Sequence, residues 1–238
     1  MRYLVLTFCI LSAVTARSEP PPTPAPKVVE DDLPRPDRAL TDGEIALLRP
    51  VFGDGIEYAD VRVIDASFPL QPPGGYMTPR GRLYAPGPLW EPDFSTVDPD
   101  LRAIFVHEMT HVWQFANGMD LVVQGVVDYT RNRGNYRKSY AYELVAGRDL
   151  TEYGMEQQAS IVEDYYRTAI EHDGPVQLTN RVSQGPALPD RAAPPKSGAK
   201  DLSPSERDAL YAAVLKNLLG NPRYARPTPV VSRPSAAK

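Results

Sequence analysis

At 238 residues, with 42% hydrophobic and 24% charged side chains, the chain has the composition of a globular protein. Its formal net charge of -4 excludes the broad basic footprint that nucleic acid requires. Beyond the N-terminus no apolar run is long enough to span a bilayer.

Arg2 precedes the apolar run Tyr3–Val14, and Val14-Thr15-Ala16 offers small residues for cleavage. Residues 1–16 therefore read as a signal peptide, which places the mature protein in the periplasm or outside the cell with no stable membrane span. The one cysteine, Cys9, lies within that segment. The mature chain is thus expected to have no disulfide, no thiolate metal ligand and no thiol nucleophile.

Residues 17–38 carry Pro20, Pro21, Pro22, Pro24, Pro26, Pro34 and Pro36 among acidic residues and read as a linker. The spacing Thr41-x-x-Glu44 is a capping box that opens a short helix, expected to stop near Pro50. Val61–Asp65 and Gly81–Ala85 read as strands separated by the turn Pro72–Gly75. Asp98 then caps a long apolar helix, with Pro99 in its first position and Gly118 at its end. A loop with the basic residues Arg131, Arg133, Arg137 and Lys138 leads to a second long helix over Thr151–His172. Residues 183–202 form another Pro-rich linker. Ser203-x-x-Glu206 opens an amphipathic helix over 203–221, and 222–238 is expected to be a disordered tail. The domain so bounded, residues 39–182, is of the α+β class: a small mixed sheet packed on two long helices.

The first long helix contains His107-Glu108-Met109-Thr110-His111. Residues four apart lie one turn above each other, so both imidazoles can face one metal ion while Glu108 lies within reach of a metal-bound water. Two of the chain's three histidines stand in this motif, inside a strongly apolar helix. Core packing has no use for such groups, and burying them unpaired is costly.

A catalytic zinc site needs three protein ligands and an open position. With no cysteine available, the third is a carboxylate from the second helix or the loop before it, or His172. Glu156 is the leading choice, since Ala159 one turn later lets the two helices approach closely. Glu152 and Glu143 are alternatives, and His172 better fits a helix C-terminus, where a cation complements the dipole. Glu163 or Asp164, about two turns past Glu156, could accept the outer N–H of a ligating histidine.

The His107–His111 motif with a downstream helical glutamate resembles the zincin metallopeptidases that use a glutamate as third ligand. The run from Phe52-Gly53-Asp54 through Val61-Arg62-Val63, Gly81–Tyr84 and His107–Gln114 to Glu156–Ala159 further resembles a bacterial Vgr-related peptidase domain associated with contractile injection systems. The resemblance covers about residues 39–175. It implies a zincin-like fold, Zn2+ as cofactor, His107, His111 and Glu156 as ligands, Glu108 as general base, and a peptide or protein substrate. The export signal and Pro-rich flanks are departures from that family. Other expectations are a substrate-aligning edge strand at Leu83 and an oxyanion donor at Tyr140 or Tyr142. The alternative is a non-catalytic binding module of the cell envelope or of an injection system, docking a partner through the C-terminal helix.

Overall fold

Thr41 Oγ1 accepts the Glu44 N–H at 3.0 Å while the Glu44 carboxylate accepts the Thr41 N–H at 2.8 Å, and this reciprocal cap opens helix α1, Asp42–Phe52. A computed structural model describes residues 37–69, 71–171 and 203–225 of the chain. The expected signal peptide, residues 17–36 of the first expected linker, all of the second, His172 and the end of the expected tail lie outside the described residues. Glu44 is fully buried, and two bonds from Arg38 (2.7 and 2.9 Å) and one from the Phe94 N–H (2.9 Å) satisfy its charge. Arg38 thus belongs to the fold, although its sequence position assigned it to the linker.

The described sheet has two short parallel strands, β1 (Val63–Ile64) and β2 (Leu83–Tyr84), with Val63 opposite Leu83 and Ile64 opposite Tyr84. Arg38 bridges the outer side of β1, and Met77 bridges the outer side of β2. Tyr84 both donates to the Met77 carbonyl (2.8 Å) and accepts its N–H (3.3 Å). The strand expected to offer a free edge is therefore flanked on both sides. Strand addition there would have to displace Met77.

Helix α2 spans Pro99–Ala116, with the Asp98 carboxylate accepting the Leu101 N–H at 3.1 Å. Its middle, Ala103–Gln114, is buried throughout. Asn117 caps it, and Gly118 follows with φ 88°, a left-handed conformation that glycine adopts without penalty.

The structure departs from the sequence reading at α3, Leu121–Arg131, where a loop was expected. Its valines and Gly125 are poor helix formers. The Asp120 cap on the Val123 N–H (3.1 Å) and burial of Leu121 and Asp128 override that preference. The helix leaves Val122, Val123, Val126 and Tyr129 exposed.

The second long helix also begins later than expected. Leu150–Glu152 is a separate 3₁₀ turn capped by Asp149, and α4 runs over Met155–Tyr165. Gly154, extended at φ −63°, ψ 162°, is its cap, and the Gln157 side chain accepts the Gly154 N–H at 2.9 Å. Five residues in π-helical geometry, Tyr166–Ile170, continue it. α4 packs along α2, with the small and fully buried Ala159 on α4.

The C-terminal segment is two helices, α5 (Pro204–Val214) and α6 (Lys216–Gly220), opened by the expected Ser203–Glu206 box. Tyr211, Val214, Leu215 and Leu218 are buried in the same core as Leu48, Phe52 and Ile161. The apolar face assigned to an envelope partner is therefore covered by the domain itself. Residues expected to be tail also pack: the Pro222 carbonyl accepts Trp113 Nε1–H at 2.6 Å. No helix among the described residues is long and apolar enough to cross a membrane.

Candidate metal centre

The cluster is built by two buried helices. α2 supplies His107, Glu108 and His111, all buried. α4 supplies Glu156 in its first turn and Glu163 seven residues on, hence on the same face. Ligand atoms of His107, His111 and Glu156 all lie within 4.8 Å of one another.

Glu156 Oε2 is 3.3 Å from His107 Nε2 and 3.4 Å from His111 Nε2. Ligand atoms on a tetrahedral zinc with bonds of about 2.05 Å stand about 3.3–3.4 Å apart. The donor types and the two Glu156–histidine separations therefore fit a small metal ion.

Each candidate ligand is also oriented from behind. His107 Nδ1 lies 3.0 Å from Glu163 Oε2, and Glu163 Oε1 accepts Arg167 Nη2–H at 3.1 Å. Arg167 continues to Asp100 in the first turn of α2, tying the two helices together. His111 Nδ1 lies 2.8 Å from Gln114 Oε1. The Gln114 amide nitrogen donates to the Met155 carbonyl and to Gln158 Oε1, both at 2.9 Å. Glu156 Oε1 accepts the Tyr136 hydroxyl at 2.6 Å. Both Nδ1 atoms are thus engaged, so each imidazole presents Nε2 to the centre.

The electrostatics favour a cation. Burial disfavours a charged His111, but the Glu156 and Glu108 carboxylates outweigh it and raise its pKa to about 9. Burial likewise opposes ionised Glu156, yet the facing histidines hold its carboxyl well below the usual range. Burial and then the Glu156 charge push the Tyr136 phenol far above its ordinary value, so it remains a donor.

Glu108 is not among the converging ligands. Its Oε2 accepts the Thr78 hydroxyl at 2.7 Å, and Oε1 has no hydrogen-bond partner among the described residues. Of the two carboxylates considered as histidine acceptors, the structure brings Glu163 to the site. Asp164 points elsewhere, accepting the Tyr142 hydroxyl at 2.5 Å, with Tyr211 OH 2.7 Å from that hydroxyl. That pairing also removes Tyr142 as an oxyanion donor. The Tyr140 ring lies against His107, centroids 5.8 Å apart. Glu152 caps the turn before α4 and Glu143 is exposed. His172 falls outside the described residues. Gln114, Thr78 and Tyr136 were not foreseen. Gln114 stands three residues after His111 and was legible from helical spacing, whereas Thr78 and Tyr136 come from irregular segments that carry no motif.

Fold and site together define a mostly helical α+β domain with a buried His/His/Glu cluster able to hold a metal ion. No family profile matches the chain. It is 39% identical over 131 residues to the type VI secretion system spike protein VgrG2b of Pseudomonas aeruginosa, a stretch that is 54% of this chain and 13% of that protein. Among solved structures it is similar to the effector domain of Pseudomonas aeruginosa VgrG2b, with a TM-score of 0.50 and 38% identity. That match covers 56% of this chain and 74% of the solved one. The chain belongs to the family of the VgrG2b effector domain, and so is Vgr-related as the sequence resemblance implied. It corresponds to only a small part of the spike protein's length.

Proposed function

We propose that the protein is an exported, zincin-like metallopeptidase related to injection-system effector domains. One observation carries the reading. Three buried ligand atoms lie within 4.8 Å of one another, while Glu108 is held by Thr78 and stands outside that set. A purely structural zinc site fills all four positions with protein ligands and has no role for an adjacent carboxylate.

His107, His111 and Glu156 would hold the ion, which when bound supplies a Lewis acid and lowers the pKa of a coordinated water to about 7. Glu108 takes the proton from the attacking water and returns it to the leaving amine. The Thr78 bond keeps one Glu108 oxygen in place and leaves the other for that transfer. Glu163 and Gln114 keep the imidazoles aimed while charge develops.

The test compares cleavage of proteome-derived peptides by the zinc-loaded wild type and by Glu108→Gln. Hydrolysis by the wild type, lost in a variant that still binds zinc, supports the peptidase. Equal profiles from the two proteins favour the binding-module alternative instead.

A further inference from the structure

Each residue of the cluster presents one atom to the centre and has its other polar atom engaged. For the histidines this is the familiar orientation of an imidazole by an acceptor. Glu156 differs, because both its oxygens are chemically able to bind a metal. Oε2 stands at ligand spacing from both Nε2 atoms, whereas Oε1 accepts the Tyr136 hydroxyl at 2.6 Å.

We propose that Tyr136 is a positioning residue that restricts Glu156 to one-oxygen ligation and so keeps the fourth coordination position open. This rests on the metal-site reading above. Binding through both oxygens would require the carboxylate to rotate Oε1 toward the ion and break the short bond to the phenol. It would also add a fifth ligand atom beside the water or substrate, crowding the position that an open site leaves to them.

The surroundings hold the phenol in place. Tyr136 begins a 3₁₀ turn, Tyr136–Ser139, after α3. Its hydroxyl lies 3.8 Å from where a Cβ on Gly125 would stand, so α3 backs it closely. The Tyr140 ring packs edge-on against it, centroids 5.9 Å apart, and itself lies against His107. The helix and turn that the sequence reading left as a loop therefore place a donor on the one ligand oxygen that must be kept from the metal.

The experiment uses the full chain loaded with Co2+ in place of zinc. Four-coordinate cobalt absorbs visible light much more strongly than five-coordinate cobalt, so band intensity reports ligation independently of activity. The wild type is expected to show the intense four-coordinate band. Tyr136→Phe should weaken it and change metal affinity roughly tenfold or more, the range seen when an outer partner of a ligand is lost. Tyr142→Phe removes another buried phenol from a carboxylate that is not a ligand, and should leave band and affinity unchanged. An unchanged band in Tyr136→Phe, or a five-coordinate band in the wild type, overturns the proposal. If Tyr136→Phe does not fold, X-ray absorption at the zinc edge of the unmodified protein decides, because a two-oxygen carboxylate signature refutes it. A folded wild type that takes up no metal refutes the metal centre itself, a different result.

Discussion

Glu163 Oε2 stands 3.0 Å from His107 Nδ1, and its other oxygen accepts Arg167. One carboxylate therefore orients a candidate ligand and neutralises a buried guanidinium. Glu163→Ala is expected to lower zinc affinity about 10–100-fold. It should also cost about 3 kcal/mol of stability, because Arg167 loses a buried counter-charge. Glu163→Gln, which can still accept from Nδ1–H, should lose less affinity. Zinc titration calorimetry and urea unfolding separate the two effects.

Metal removal should destabilise the fold measurably. An ion that binds only the native state contributes about 2.7 kcal/mol at a free concentration one hundred times its Kd. Chelation should lower the melting temperature of the wild type, and Glu156→Ala should melt identically with and without zinc. A full zinc response in Glu156→Ala would remove it from the ligand set.

Thr78 holds Glu108 through one 2.7 Å bond and, among the described residues, is hydrogen-bonded to no candidate ligand. Thr78→Val should leave zinc affinity within about twofold while lowering kcat about 10-fold or more, consistent with about 1.5–3 kcal/mol for a hydrogen bond to a charged group. Steady-state kinetics beside a zinc titration checks this.

Asp149 joins the turn before α4 to the C-terminal segment. Its carboxylate caps Thr151 N–H at 3.0 Å and accepts Tyr224 OH and Asn217 Nδ2–H, both at 2.8 Å. Burial alone would raise its pKa, but these bonds outweigh it and hold it below the ordinary value of 3.8. A folded pKa below the unfolded one means the stabilisation is complete above about pH 4 and is lost as pH falls through the folded value. Asp149→Ala should cost about 1 kcal/mol at neutral pH. The gap between variant and wild type should close on acidification, as urea midpoints measured down to pH 3 would show.

Leu218 on α6 is fully buried in the main core. Leu218→Ala should cost about 2–5 kcal/mol, a value that an independently docking tail would not produce. Urea unfolding should show the loss in a single transition.

The sequence by itself determined the features that depend on local geometry. Helical spacing put His107 and His111 on one side of α2, with Gln114 one turn further. The caps at Thr41, Asp98 and Ser203 follow from short-range hydrogen bonding. Glu156 was preferred as third ligand because Ala159 permits close helix approach, and the structure does bring that glutamate to the histidines. Only tertiary structure decided which distant carboxylate turned inward, because that depends on rotation of α4. As packed, the helix turns Glu156 and Glu163 toward the histidines of α2 and leaves Asp164 to Tyr142. Thr78 and Tyr136 arrive from irregular segments, where no periodicity marks direction. α3 forms from a weakly helical sequence because its cap and buried residues outweigh propensity. The amphipathic pattern of 203–221 showed that an apolar face needed cover, but not what covers it. The answer lies in the domain's own core, since burying Val214, Leu215 and Leu218 there removes them from water without a second protein.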